Sequence, residues 1–342
     1  MNLKNKTYLI AEVGLAHEGS LGIAKSFIDK IANSGADAVK FQLHNQLYES
    51  SKYEKFRVKF SEQDKNRGEY WTRTSFTFEE WKILRNYAKK KKLDFICSPF
   101  SEGAVSTLKR LKIDAVKIAS GEFNNLFLLK KIFKELPSKP IILSTGLSDL
   151  KEIEYILNFC MTNKIKNSNI FLLQCRSEYP TKIHLVGHKI VDIFRQKFNV
   201  KSGLSDHSGN LNSLIAGIAM GSDLIEFHVT FDKAFFGPDT KSSITFDELK
   251  ILSNFNKDFS KIALKGIKNK NLNKKLIFNK KLFNKGVFVK KKINAGEIIK
   301  EKNLIALKPM KGISIVDVYK IIGRKVKKKI MPKEFLKKSD IK

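Results

Sequence analysis

Short apolar runs alternate with amphipathic stretches along the first three quarters of the chain. "YLIAEV" precedes a helical stretch opening near Ser20, and "AVKFQL" follows it. In "FTFEEWKILRNYAKKKK" the residues Trp81, Leu84 and Ala88 recur at helical spacing, and "DFICSPF" comes next. "AVKIAS", "PIILSTG", "IFLLQCR", "VKSGLSD" and "LIEFHV" complete a set of eight strand candidates. Between the last two, Leu211, Leu214, Ile215, Ile218 and Ala219 mark another helix. Eight such units in about 250 residues predict an α/β fold, a (β/α)8 TIM barrel, with functional groups at the C-terminal ends of the strands. A doubly wound open sheet is the competing arrangement, but it does not require polar groups at so many strand ends.

Those ends carry, in order, Glu12, Lys40 with Gln42, Ser98, Lys117 with Ser120, Ser144 with Thr145, Ser177 with Tyr179, Ser205 with His207, and Glu226 with His228. Serine and threonine are explained equally well as caps of the helices that follow. Lysines inside apolar runs are not, because a buried ammonium is costly unless an anion or carboxylate meets it. With hydroxyls and backbone amides nearby, a small phosphate-bearing anion is the expected guest, and internal salt bridges are the alternative. "GLSDHSGN" and "IEFHVTFD" each deliver a histidine where a strand ends, with Glu226 and His228 on one face of their strand, which suggests one shared site. The plainer reading is that each histidine closes a turn. His184 and His188 in "HLVGHKIVDIF" lack the glutamate of an HExxH motif and are read as part of a surface helix. "GSLGIAK" lacks the spacing of a P-loop and is read as a helix start.

Composition changes this picture little. The 342 residues, 42% hydrophobic, suffice for one large domain and a small one. The formal charge of +31 suggests nucleic acid at first. Lysine supplies 57 of the 65 basic residues, however, and arginine, the better base reader, is scarce. Residues 261–342 hold 26 Lys and Arg against 5 Asp and Glu, a net of +21, so the excess lies mostly in a basic tail and not in a groove-reading surface. Cys97, Cys160 and Cys175 show no CxxC spacing, which indicates neither a disulfide framework nor a cysteine zinc site and fits a reducing cytoplasm. No apolar run approaches signal-peptide or membrane-spanning length, so no membrane partner is expected. Past Ser260 a charged connector leads to short β-rich runs broken by Asn-Ala-Gly and Lys-Pro. Residues 1–264 are therefore read as the barrel, 265–283 as a linker and 284–342 as a second small domain.

The motifs "IAEVGLAHEGSLGIAKSFIDKIANSGADAVKFQ", "CSPFS", "VKIASGE", "IILSTG", "LSDHSG", "EFHVTFD" and "FGPD" occur in an order that resembles the sialic acid synthase family. These transferases condense phosphoenolpyruvate with an N-acyl mannosamine-type sugar to give nonulosonic acids. The tail "VKKKINAGEIIKEKNLIALKP" resembles the antifreeze-like, β-clip SAF domain that follows the barrel there. The resemblance implies a phosphoenolpyruvate pocket at Lys40, Gln42, Ser98, Lys117, Ser120, Ser144 and Ser205. It implies a divalent metal, Mn2+ or Mg2+, on His207 and His228, with Glu12 and Glu226 in the chemistry. Ser177, Tyr179, Asp239 and Lys308 fall where the family meets its acceptor sugar, and a domain-swapped homodimer is implied as well. Three residues depart from the pattern: Ala16 replaces an Asn, Ser177 in "CRS" replaces the Asn of "CTN", and Lys308 in "LKPM" replaces the Arg of "KRPG". Lysine lacks the guanidinium fork that grips an acyl carbonyl, which points away from N-acetylmannosamine toward a diacetamido-trideoxy or otherwise altered relative. The rival readings are a phosphoenolpyruvate-dependent 3-deoxy-ulosonate-phosphate synthase, which needs further cations for its acceptor's phosphate, and a non-catalytic carbohydrate-binding barrel.

Overall fold

The eight apolar runs form eight strands: β1 (Tyr8–Gly14), β2 (Ala38–Leu43), β3 (Asp94–Pro99), β4 (Ala115–Ile118), β5 (Ile141–Ser144), β6 (Ile170–Cys175), β7 (Lys201–Asp206) and β8 (Leu224–Thr230). In the computed structural model, which describes residues 6–51, 53–55, 61–267 and 269–342, each strand pairs in parallel with the next, and β8 returns to β1. Closure is in register, Tyr8 opposite Leu224 and Glu12 opposite His228. The TIM barrel predicted from the alternation is thus the fold. A short strand not read from the sequence, β9 (Ser243–Thr245), pairs in parallel with the end of β8 at His228–Thr230.

Among the described residues seven helices of nine or more residues lie in the crossovers, from Leu21–Ser34 to Leu211–Ala219, and an eighth, Phe246–Lys265, follows the last strand. Their starts are capped by polar side chains: Ser20 accepts from the Ile23 amide, and Thr77 and Thr245 each form a reciprocal box with a glutamate three residues on. Aspartates just before the strands tie neighbours together at the opposite end of the barrel. Asp37 accepts from Leu9 N, Asp114 from Phe95 N and Asp223 from Ser202 N, at 2.8–3.0 Å. This accounts for the recurring Asp in "GADAVKF", "KIDAVKI" and "GSDLIEF". The large core between strands and helices includes Phe27, Phe41, Trp81, Leu84 and Phe95, all buried.

The chain divides into two units, Met1–Gly266 and Ile267–Lys342. The second has its own core of Val287, Val289, Ile299, Ile313, Val326, Leu336 and others. Its two-stranded antiparallel ribbon pairs β10 (Gly286–Val289) with β11 (Leu304–Leu307), and the remainder is turns and short 3-10 segments. Two sequence expectations need correction. The stretch read as a charged linker carries a ten-residue helix, Lys274–Phe283, capped by Asn273; Lys268 within that stretch and residues 1–5 lie outside the described residues. His184 and His188 do not share a surface helix, because Gly187 takes a left-handed conformation and separates the 3-10 turn Ile183–Leu185 from the helix Ile190–Phe198. His188 Nε2 instead meets the Ser213 carbonyl at 2.9 Å. Among the described residues no helix is long and apolar enough to cross a membrane.

Candidate active site

Side chains on a strand alternate between barrel interior and exterior, so each level of the interior collects residues from several strands. The lower interior is apolar: Tyr8, Ile10, Ala38, Ile96, Ala115, Ile142, Phe171, Leu173 and Leu224 pack together and form a floor. Two residues beyond that floor the strands turn polar. Glu12 follows Ile10, Lys40 follows Ala38, Ser98 follows Ile96, Lys117 follows Ala115, Ser144 follows Ile142 and Glu226 follows Leu224. Ladder register then sets neighbours side by side, Glu12 with Lys40, Gln42 with Ser98 and Ser205 with Glu226. These residues line a single cavity of about 250 Å³ together with Ser120, Ser177, Tyr179, His207, His228 and Asp239. None of Ser98, Ser120, Ser144, Ser177 or Ser205 caps a long helix; Ser101, Asn125, Asp149 and Asn210 do that work nearby.

The buried charges are arranged around Glu226. Its Oε1 lies 3.4 Å from Lys40 Nζ and 3.3 Å from Lys117 Nζ, and accepts from Ser205 Oγ at 3.2 Å. Burial opposes its charge, but Lys117 and Lys40 outweigh that and hold the carboxyl down at about 2. Glu12 sits 2.6 Å from Lys40 Nζ and accepts from Gln42 Nε2 at 2.8 Å. Burial pushes its carboxyl up despite Lys40, and neighbouring Glu226 adds to the effect. Two carboxyls a few ångströms apart are thus driven in opposite directions, one toward a proton-holding acid and one toward a fixed anion. Both lysines therefore do make internal ion pairs, and the anion reading rests on the balance: two ammonium groups face one firmly ionised carboxylate. The Ser144 hydroxyl and Glu226 Oε2 are buried without a hydrogen-bond partner among the described residues, as expected where a polar ligand completes the set. Gly146 lets the loop after β5 close over this point. A Cβ there would come within 2.5 Å of Ser177 Oγ and 2.8 Å of Ser120 Oγ.

His207 and His228 converge with ring centroids 5.5 Å apart. Burial lowers the His228 pKa to about 4, so its lone pairs are available at neutral pH. Burial works against charge on His207 too, but the Cys175 sulfur, 3.7 Å from Nδ1, and the Arg176 carbonyl, 3.0 Å from it, draw its pKa above the ordinary imidazole value. Nδ1–H donating to the Arg176 carbonyl turns Nε2 toward Tyr179, whose hydroxyl is 3.1 Å away. Among the described residues no three His, Cys, Asp or Glu converge as a metal cage. Two converging imidazoles are donors of the type a divalent cation takes, and alone they do not make a closed structural site.

A family model described as the NeuB family matches residues 27–268, and a SAF domain model matches residues 284–342. The chain belongs to the NeuB family. It is 35% identical over 331 residues to the N,N'-diacetyllegionaminic acid synthase of Campylobacter jejuni, covering 93% of this chain and 95% of that protein. The pseudaminic acid synthase of Helicobacter pylori is 32% identical, with 97% of each chain covered. The crystal structure of an N-acetylneuraminic acid synthetase from Leptospira borgpetersenii, in complex with citrate, aligns with a TM-score of 0.67 at 26% identity, over 80% of this chain and 90% of that one.

In this NeuB-family chain the cavity has a wall that the sequence reading missed, made of Leu15, His44, Arg67, Tyr70, Trp71 and Phe100. Arg67 Nη1 donates to Glu54 Oε1 at 2.8 Å, and its guanidinium lies over the Trp71 ring at 4.8 Å. Most of the wall comes from the segment between β2 and the helix Phe78–Lys90, where no strand rhythm marks a barrel-facing position. His44 alone had a signal, since Lys40, Gln42 and His44 alternate in one face. Lys308 is carried by the second unit, just after β11 and before Pro309.

Proposed function

We propose that this NeuB-family transferase condenses phosphoenolpyruvate with an unphosphorylated N-acyl amino sugar to form a nonulosonic acid and inorganic phosphate. The observation that carries this is the buried pair Lys40 and Lys117 beside the unpartnered Ser144 hydroxyl, an incomplete anion site at the mouth of a barrel whose named relatives are nonulosonate synthases. Lys40, Lys117 and the hydroxyls of Ser98, Ser120, Ser144 and Ser205 bind the phosphate and carboxylate of phosphoenolpyruvate, with Gln42 alongside. His207 and His228 would hold a divalent cation, Mn2+ or Mg2+, which when bound supplies Lewis-acid polarisation of an aldehyde oxygen.

The methylene carbon of phosphoenolpyruvate attacks the sugar aldehyde, a C–C bond forms, and positive charge develops at the carbon bearing phosphate. The ionised Glu226 carboxylate faces that charge. Glu12, held toward its protonated form, donates the proton that the new hydroxyl needs. Water then adds to the cationic carbon. Water bonded to such a carbon is acidic enough for even a carboxylate held at about 2 to take its proton, and Glu226 Oε2 is placed to do so. The hydroxyl on that carbon gives up its proton to the departing phosphate as the C–O bond breaks, and a ketone remains.

Tyr179, Ser177 and Asp239 meet the acceptor inside the cavity, and Arg67 offers donors at its rim. Lys308 serves the acceptor pocket of a partner subunit in a homodimer, and the enzyme acts in the cytoplasm. The similarity to the two bacterial synthases favours a diacetamido-trideoxy acceptor over N-acetylmannosamine. A screen of unphosphorylated amino sugars with phosphoenolpyruvate and Mn2+, read by phosphate release and product mass, tests the reading. Turnover is expected with at least one diacetamido-trideoxy hexose, and turnover with sugar phosphates alone overturns the acceptor class.

A further inference from the structure

Gln42 donates its amide NH2 to Glu12 Oε1 at 2.8 Å, so its carbonyl oxygen must face the other way. There it meets His44 Nε2 at 3.1 Å, and the opposite ring nitrogen, Nδ1, lies 2.7 Å from Glu49 Oε2. Direction is set at one end of this chain: an amide oxygen only accepts, so His44 Nε2 carries the proton, and Nδ1 faces Glu49. The other Glu49 oxygen accepts from the Asn45 amide, which anchors it to the segment after β2. The imidazole is clamped between Trp71, 4.6 Å away and within 7° of parallel, and Phe100 at 4.1 Å and 23°. The His44 and Glu49 side chains are each 3% exposed, so water does not substitute for these bonds.

We propose that His44, backed by Glu49, is a positioning residue that fixes the Gln42 amide and through it Glu12. If His44 cannot donate, the Gln42 amide is free to turn over, and the bond from its NH2 that holds Glu12 Oε1 is lost. Glu12 then leaves the geometry in which its proton meets the new hydroxyl. Phosphoenolpyruvate still finds Lys117 and the serines, so the loss falls on the chemical step. Through three hydrogen bonds, packing of the segment that carries Glu49 is also transmitted to the barrel centre.

The role of the chain's end point rests on the function proposed for Glu12, so the test has two arms. In the kinetic arm, His44→Phe keeps the stacking and removes both nitrogens, and His44→Gln restores a donor near the Nε2 position. We expect kcat of His44→Phe to fall about tenfold to a hundredfold, with the KM for phosphoenolpyruvate and the Tm near wild type, and His44→Gln to recover part of the loss. Wild-type kcat in His44→Phe, or equal loss in both variants, overturns the proposal. The second arm needs no turnover. In full-length protein with nitrogen-15 glutamine, the Gln42 side-chain NH2 resonances, assigned by their loss in Gln42→Glu, should shift or broaden in His44→Phe and Glu49→Gln and return toward wild type in His44→Gln. Resonances unmoved in His44→Phe and Glu49→Gln refute the relay. Wild-type protein inactive with every acceptor would instead defeat the proposed function while the second arm still decides the relay.

Discussion

Replacing Lys117 by Met separates anion binding from structural pairing. Lys117 Nζ is 2% exposed by residue and lies 3.3 Å from Glu226 Oε1, whereas Lys40 contacts Glu226 at 3.4 Å, Glu12 at 2.6 Å and Ser98 Oγ at 3.3 Å. In Lys117→Met, Glu226 keeps Lys40 and the Ser205 hydroxyl, so the barrel should fold with little change in Tm. Bound phosphoenolpyruvate, by contrast, loses one of two ammonium partners in a dry cavity, which costs about 2 to 4 kcal/mol, or about 30- to 700-fold in Kd. Lys40→Met takes away the ammonium nearest Glu12 and one of the two that face Glu226, and should lower both affinity and stability, the latter by about 3 kcal/mol or more. Calorimetric titration gives Kd and thermal melts give stability; Trp71 in the cavity wall supplies an independent fluorescence signal. Phosphoenolpyruvate binding unchanged in Lys117→Met, with a collapsed Tm, would refute the reasoning and make Lys117 a structural ion pair.

Chelation should abolish turnover and Mn2+ should restore it, while the double variant His207→Ala, His228→Ala should stay inactive at any Mn2+ concentration; activity in that variant removes the metal assignment. Phosphoenolpyruvate affinity should be level below the lowered free-enzyme pKa of Lys117 and fall as pH rises from there toward the higher value in the complex. Burial lowers the Lys117 pKa in the free enzyme and a bound anion raises it again, so binding takes up a proton between the two values. An affinity that stays flat into the alkaline range contradicts this. Gly203→Ala should unfold the barrel, because a Cβ there would sit 1.8 Å from the Leu224 carbonyl oxygen across the β7–β8 pairing; soluble protein with wild-type Tm would show that the strands can separate without penalty. Mixing inactive Lys117→Ala and Lys308→Ala proteins should restore part of the activity once subunits exchange, and an inactive mixture after verified exchange would end the partner-subunit role of Lys308.

The barrel was legible because its strands are short, apolar and rich in branched residues, and because period two puts Lys40, Lys117 and Glu226 at the one level where an apolar interior turns polar. Fourteen of the fifteen residues assigned to the site by the resemblance line one cavity and Lys308, on the second unit, is the other; Thr145, also read at a strand end, is not in the cavity lining. The wall of Arg67, Tyr70 and Trp71 was not legible. Its residues come from a helix of eight, Arg67–Thr74, whose amphipathic pattern records burial against the barrel and says nothing about which strand ends it overhangs. The helix Lys274–Phe283 was hidden by composition, since five of its ten residues are Lys or Asn, types that read as a solvated connector. His44 was open to the same alternation argument as Gln42. His44 lies just past the end of β2, where strand periodicity stops, and its partner Glu49 lies further on.

Phosphate released in heavy-oxygen water tests the central claim most directly. The enzyme is incubated with phosphoenolpyruvate, Mn2+ and the accepted amino sugar, and the phosphate is analysed by mass. Attack of water at the carbon, with C–O cleavage between Glu12 and Glu226, predicts phosphate free of solvent oxygen, released one for one with a product heavier than the acceptor by a three-carbon keto acid. Phosphate carrying solvent oxygen, or phosphate released with no such product, would contradict the account.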